Sequence, residues 1–296
     1  MKILTIIVTY NAMQWAERCF SSLYSSTIVP DIFVVDNGSK DGTQAYIKKE
    51  HPNIIFHQSV ENLGFGQANN MGLQYALAHN YDYVYLLNQD AWVSPDTFEH
   101  LIKISTQYPQ YGILSPFQMN ADMLHIDRNF IVNVLSWKSN PDICSDLYSQ
   151  RLNDVYSVCG VMAAHWFLPI ATIKKVGGFS PTFHHYTEDD NYIDRVHFWG
   201  YKIGVVPSLR VVHDRGWRED TKSKKMYLSY TGMLQFLSNP LKKQRHIAVW
   251  LIYTCLKHTI KFKSFKPIKY TSQIIRNYQS IINNKQISMR QERAFL

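Results

Sequence analysis

Residues 3–8, ILTIIV, form an unbroken apolar run, and the pattern returns twice before residue 90. IFVVD (32–36) is apolar up to a terminal acid, and the run at 82–88 breaks off into Asn88, Gln89 and Asp90. A strand apolar at successive positions is buried on both faces, as happens in parallel sheets covered by helices. The segments between these runs carry helical spacing. Trp15, Cys19, Phe20 and Leu23 mark one helix over 15–24, with others near 43–49 and over 65–79. NIIFHQ (53–58) supplies a further strand. This alternation predicts an α/β fold with a mostly parallel sheet flanked by helices.

Beyond residue 112 the alternation loosens. Short strands are expected at 112–117, 130–137 and 155–160, and a helix over 169–176 is ended by Gly177-Gly178. A second helix spans 188–199 with Gly200 as its stop. Residues 202–206 and 209–213 read as extended, and the pattern from 220 onward is helical.

Ligand crevices in such sheets lie beyond the carboxyl ends of the strands. Three polar clusters fall at those ends: Thr9-Tyr10-Asn11, Asp36-Asn37 and Asn88-Gln89-Asp90. Parallel strands would set them along one edge. Asp36 suits hydrogen bonds from a base or ribose, or a cap on the next helix. NLGFGQAN (62–69) approaches G-x-G-x-x-G but lacks the third glycine and follows the third strand, not the first. It reads as a glycine-rich turn into a helix rather than a dinucleotide fingerprint. Asp90 is either an Asx turn or a ligand for a hard divalent cation that also holds a diphosphate. Glu188, Asp189 and Asp190 complement a helix dipole. Mutually repelling carboxylates also raise some pKa values, as a general base requires. His213, at the end of VVH, is either a half-buried histidine or a second metal ligand. Arg215, Arg218 and Lys222 could meet a diphosphate.

Together, VTYN (8–11), VDNGSKDGT (35–43), NLGFGQANNMG (62–72), LLNQD (86–90), GGF (177–179), TED (187–189) and VVH (211–213) resemble glycosyltransferase family 2. The resemblance is to its rhamnosyltransferase-like, bacterial polysaccharide branch, and it covers about residues 1–217. It implies a GT-A fold and an inverting, metal-dependent transfer from a UDP or dTDP sugar to a glycan or polyprenyl-diphosphate-linked acceptor. By resemblance, Thr9, Tyr10 and Asn11 border the nucleotide, Asp36 contacts the base, and Asn69 lies near the sugar–phosphate. Asn88 and Gln89 complete the donor site with Arg215. Asp90 and His213 hold Mn2+ or Mg2+. Asp189 is the catalytic base with Glu188 beside it. Two positions depart from the family pattern: Asn88 replaces the first acid of D-x-D, and Asn191 the last acid of E-D-x-D.

Charge divides the chain. From residue 217 onward there are 16 Lys and Arg against 3 Asp and Glu, whereas residues 1–216 carry 15 against 20. The expected organisation is therefore a catalytic domain, 1–216, and a basic amphipathic helical extension, 217–296. Lysines interleaved with Trp250, Leu251, Tyr253, Leu256, Ile260, Phe262 and Phe265 suit an anionic membrane face. A homo-oligomer contact is the alternative, and nucleic acid is not the expected partner. Four scattered cysteines form no C-x-x-C, which fits a reducing compartment. MKILTIIVTYN reads as a strand rather than a signal peptide. The expected location is cytoplasmic, on the inner face of the plasma membrane. The residues leave two other functions open: a sugar-phosphate nucleotidyltransferase, although VTYNAMQW lacks a basic glycine-rich loop after the first strand, and a non-catalytic nucleotide-sugar-binding protein.

Overall fold

The computed structural model describes residues 1–136, 139–216 and 220–296. Arg218 and Trp217, and with them the expected domain boundary, lie outside the described residues. In chain order the first half comprises β1 (Ile3–Thr9), α1 (Met13–Tyr24), β2 (Asp31–Asp36), α2 (Thr43–Glu50), β3 (Ile55–Gln58), α3 (Gly64–Ala78), β4 (Tyr83–Asn88), β5 (Ala91–Trp92), α4 (Thr97–Gln107) and β6 (Tyr111–Met119). There follow α5 (Arg128–Asn133), α6 (Asp142–Ser149), β7 (Tyr156–Val158), β8 (His165–Pro169), α7 (Ile170–Val176), α8 (Glu188–Phe198), β9 (Lys202–His213), α9 (Lys222–Ser238), α10 (Ile247–Phe262) and α11 (Lys266–Arg290).

One sheet runs β3-β2-β1-β4-β8-β6-β9-β5, with β7 also on β9. Strands β1 to β4 pair in parallel, as do β6 and β9; β8, β7 and β5 run against their neighbours. β1 alternates its side chains between two cores. Leu4 and Ile6 join one face with Trp166, Phe179 and Tyr192, and Ile3 and Ile7 join the other with Phe20, Tyr85 and Phe98. This two-sided burial explains its unbroken apolar run. Helix α1 turns Ala16, Cys19, Phe20 and Leu23 inward at i, i+3, i+4 and i+7. Gly72 lets α3 lie directly on β1: a Cβ there would come within 2.6 Å of Ile6.

Two expectations need correction. The strand expected at 130–137 is the short helix α5, because the Asp127 carboxylate accepts the Phe130 N–H at 2.8 Å and caps a helical turn. The two extended pieces 202–206 and 209–213 are one strand. Both pair with β6, and the register jumps from Pro116↔Val206 to Phe117↔Arg210, so residues 207–209 are looped out where Pro207 can give no ladder hydrogen bond.

The basic extension has its own cluster, Met233, Leu234, Leu237, Leu251, Ile274 and Ile281, which takes in Phe183 from the preceding part of the chain. The last residues return to the sheet-bearing half. Arg293 N–H donates to Lys174 O, Gly178 N–H donates to Ala294 O, and Leu296 packs on the main core. Among the described residues no helix is long and apolar enough to cross a membrane.

Candidate active site

The three polar clusters share one edge. Thr9 stands opposite Asp36, and Val8 opposite Asn88, so β1, β2 and β4 end level. Their side chains largely bind one another. Tyr10 N–H donates to Gln89 Oε1 at 2.7 Å, and Gln89 Nε2 returns a bond to Tyr10 O at 3.2 Å. Asn11, at φ 52°, accepts Lys40 N–H and donates its own N–H to Ser39 Oγ. Asn69 is buried in α3 and donates to Phe65 O.

Asp36 is fully buried, and its carboxylate is committed to the protein. Oδ2 accepts the hydroxyls of Thr9 and Ser39, and Oδ1 accepts the N–H groups of Gly38 and Ser39 and the amide of Gln44. Five donors saturate its lone pairs. Asp36 thereby fixes the 37–44 loop at this edge. Tyr10, half exposed above it, is the accessible ring at this edge.

The NQD interruption is resolved by the short strand that follows it. After Asp90 the chain crosses to β9, where Ala91 pairs with His213 and Asp214 N–H donates to Asp90 O at 2.7 Å. This brings His213 Nε2 to 3.7 Å from Asp90 Oδ1. The strand end is held from below by buried His165, whose Nε2 meets Val212 O and whose Nδ1 meets the Tyr85 hydroxyl, each at 2.8 Å. Burial lowers the His213 pKa to about 4, so it is neutral at pH 7 and its ring can ligate. Its Nδ1 has no hydrogen-bond partner among the described residues and faces the Asp127 carboxylate at 3.9 Å. A carboxylate behind a histidine is a common orienting arrangement at metal sites. Donor atoms 3.7 Å apart can share one cation at ligand distances of about 2.1 Å. Among the described residues no three His, Cys, Asp or Glu side chains converge, so the protein fits a cation as two ligands only. Mg2+ and Mn2+ tolerate such sparse protein coordination.

The acidic cluster starts α8 on a constrained turn. Tyr186 and Thr187 both hold left-handed φ, 66° and 65°, unusual for side chains of their bulk. Asp189 accepts the N–H groups of Asp190 and Ala163. Ala164 O in turn accepts Asn88 N–H, so the pair 163–164 ties Asp189 to the edge that carries Asn88. Burial raises the Asp189 pKa, and three backbone N–H groups and Arg215 oppose the rise. Burial and the Asp189 charge push Glu188 to about 8, and desolvation with the Asp189 charge raises Asp190 to about 7. At neutral pH Glu188 therefore keeps a proton. Its buried Oε2 has no hydrogen-bond partner among the described residues, which suits an uncharged acid. Arg215 lies within electrostatic range of both Asp189 and His213, and its charge lowers the pKa of each.

The sequence reading passed over Asn70, Asp127 and His165, and gave Arg195 no role beyond fitting the helix after the acids. Asn70 pairs with the Phe179 backbone, accepting its N–H at 2.6 Å and donating to its O at 2.9 Å. Arg195, fully buried, donates to the carbonyls of Val176 and Gly178. Asn70 holds the GGF loop against α3, and Arg195 holds it against α8. Asp127 and His165 carry no motif. Their only sequence signal is a polar residue before or within an apolar stretch.

The model for the family described as glycosyl transferase family 2 matches residues 5–161. The chain belongs to this family. It is a glycosyltransferase with the GT-A fold, which closes the choice the residues left open. The N-acetylglucosaminyl-diphospho-decaprenol L-rhamnosyltransferase of Mycobacterium tuberculosis is 28% identical over 232 residues, covering 71% of this chain and 75% of that protein. The undecaprenyl-phosphate mannosyltransferase of Micrococcus luteus is 28% identical over 107 residues, covering 35% of this chain and 44% of that protein. The mannosyltransferase PcManGT from Pyrobaculum calidifontis, solved with GDP-Man and Mn2+, superposes with a TM-score of 0.59 at 16% identity, covering 94% and 75%. S. aureus TarS with UDP gives 0.56 at 15% identity, covering 82% and 67%.

Proposed function

We propose that this glycosyltransferase moves a sugar, with inversion, from a UDP or dTDP sugar to a hydroxyl of a polyprenyl-diphosphate-linked glycan acceptor during cell-surface polysaccharide synthesis. The observation that supports the reading is the approach of His213 Nε2 to Asp90 Oδ1 at 3.7 Å on the strand edge, with Asp189 tied to that edge through the 163–164 backbone. Tyr10, Asn11 and the loop ordered by Asp36 border the nucleotide, with Asn69 and Asn88 nearer the sugar. Asp90 and His213 hold a divalent cation, Mn2+ or Mg2+, which supplies charge neutralisation to the departing diphosphate. Arg215 adds a fixed positive charge on that side.

Asp189 takes the proton of the acceptor hydroxyl as its oxygen attacks the anomeric carbon. Desolvation makes this carboxylate more basic than an exposed aspartate, while its backbone donors and Arg215 keep it ionised. Glu188, protonated, shields it from a second negative charge and can donate a hydrogen bond to the incoming acceptor. A lipid-linked acceptor accords with the activities of the mycobacterial and Micrococcus relatives, and such an acceptor calls for an enzyme held peripherally on the inner face of the membrane. Residues 1–216 carry the chemistry and the basic extension carries the membrane contact.

Asp189→Asn tests the reading. The expected result is transfer reduced ~10²- to 10⁴-fold, with binding of UDP- or dTDP-sugars unchanged in a nucleotide-sugar panel. Retained transfer removes Asp189 as the base. Donor binding that ignores both EDTA and Asp90→Ala removes the cation.

A further inference from the structure

The helices of the extension are amphipathic in an unexpected sense: α10 turns its apolar side away from the protein. Only Leu251 and Phe262 of this helix are buried. Val249 is 66% exposed, Ile252 62%, Tyr253 63%, Leu256 58% and Ile260 76%. At 3.6 residues per turn these five side chains fall within an arc of about 100°. The stripe continues across the turn into α11 with Phe265, 81% exposed, and Ile268, 49% exposed. Lys257, Lys261, Lys263, Lys266 and Lys269 are all exposed alongside it. Between residues 221 and 291 the chain has fourteen Lys and Arg and no Asp or Glu. An apolar stripe rimmed by lysines and free of acids matches the boundary between acyl chains and anionic headgroups. A water-exposed helix would bury such side chains instead.

The stripe is also joined to the active site. From the α10–α11 turn, Tyr270 stacks on Tyr230 at 4.8 Å between ring centroids. Tyr227 contacts both rings and reaches Tyr186 at 6.2 Å, and Tyr186 packs on His185 at 4.0 Å. Tyr186 immediately precedes the Thr187-Glu188-Asp189 start of α8, and Thr187 donates to Thr231 O of α9. An aromatic row thus leads from the lysine-rimmed tip to the side of the site where Asp189 waits for its acceptor.

We propose that α10 and the α10–α11 turn form a monotopic docking face that lies in the surface of an anionic bilayer, with Val249, Ile252, Tyr253, Leu256, Ile260 and Phe265 in the acyl region. The row of tyrosines then presents the membrane-side opening to a lipid-linked acceptor. The docking face stands on exposure and charge alone; only its purpose rests on the lipid-linked reading above.

The experiment is co-sedimentation of the full chain with vesicles of phosphatidylglycerol and phosphatidylcholine, and with phosphatidylcholine alone, using wild type and Ile252→Ser/Leu256→Ser/Ile260→Ser. These positions are exposed, so the variant should fold, and nucleotide-sugar binding in solution verifies this independently of turnover. The expected result is binding to the anionic vesicles, at least tenfold weaker in the variant and at least tenfold weaker on phosphatidylcholine alone. Equal vesicle binding by variant and wild type overturns the proposal. So does a wild-type dimer in light scattering that the same substitutions convert to monomer, since the stripe would then cover a second copy. Vesicle binding without sugar transfer would leave the docking face standing and remove the glycosyl-acceptor reading alone.

Discussion

Replacing Glu188 by Gln should change how the protein's stability depends on pH. In the folded chain burial and the Asp189 charge raise the Glu188 pKa from 4.5 to about 8. A proton held more tightly in the folded than in the unfolded state stabilises the fold at low pH. That contribution is complete below about pH 4.5 and is lost as pH rises through about 8. Each pH unit of such a rise is worth ~1.4 kcal/mol, so the ceiling is about 5 kcal/mol. Asp190, raised to about 7 in the same cluster, shares the repulsion, and the part belonging to Glu188 alone is reduced to ~2–3 kcal/mol. Gln keeps the shape and never ionises. Urea unfolding followed by tryptophan fluorescence should find the two proteins alike at about pH 4, with Glu188→Gln the more stable by ~2–3 kcal/mol at about pH 8.5. A difference between variant and wild type that stays constant across this range would refute the reasoning. At pH 7 the variant should keep Asp189 ionised and retain transfer within a few fold, because the replaced group was already neutral.

Two further substitutions probe the scaffold. Gly64→Ala at the start of α3 forces a side chain into a left-handed residue, φ 77°, with its Cβ 2.0 Å from His184 O. The conformation alone costs ~1–2 kcal/mol, and the overlap must push the 184–188 turn aside, so both the melting temperature and transfer should fall. An unchanged melting temperature would show that the turn is free to move. Asp127→Asn preserves the α5 cap, because Asn caps as well as Asp, but it removes the charge facing His213 Nδ1. Stability should stay near wild type, while Mn2+ affinity, read by electron paramagnetic resonance without substrate, weakens ~10-fold or more. Equal Mn2+ affinity would reduce Asp127 to a capping residue.

The strands and helices of residues 3–88 were legible because their causes are local. Two-sided burial writes an unbroken apolar run, and one-sided burial of a helix writes a 3.6-residue spacing. Level strand ends then put Thr9, Asp36 and Asn88 on one edge. Where the cause was a single capping bond, as at Asp127, apolar content suggested a strand and the chain formed α5. Asp36 shows a second limit. A carboxylate at a strand end does not show in sequence what it binds; here it takes four donors from its own loop and the Thr9 hydroxyl from β1.

The sequence by itself determined the kind of sheet, the edge where chemistry could occur, and a tail too basic to be ordinary surface. Tertiary structure decided which side chains meet. Asp90 reaches His213 because a two-residue strand crosses to β9, and the upward shift of Asp189 is opposed by Ala163 and Arg215, which come to it from distant parts of the chain. It also decided that α10 faces outward. Local periodicity gives a helix its apolar stripe, but only the packing of the whole chain settles which way that stripe points.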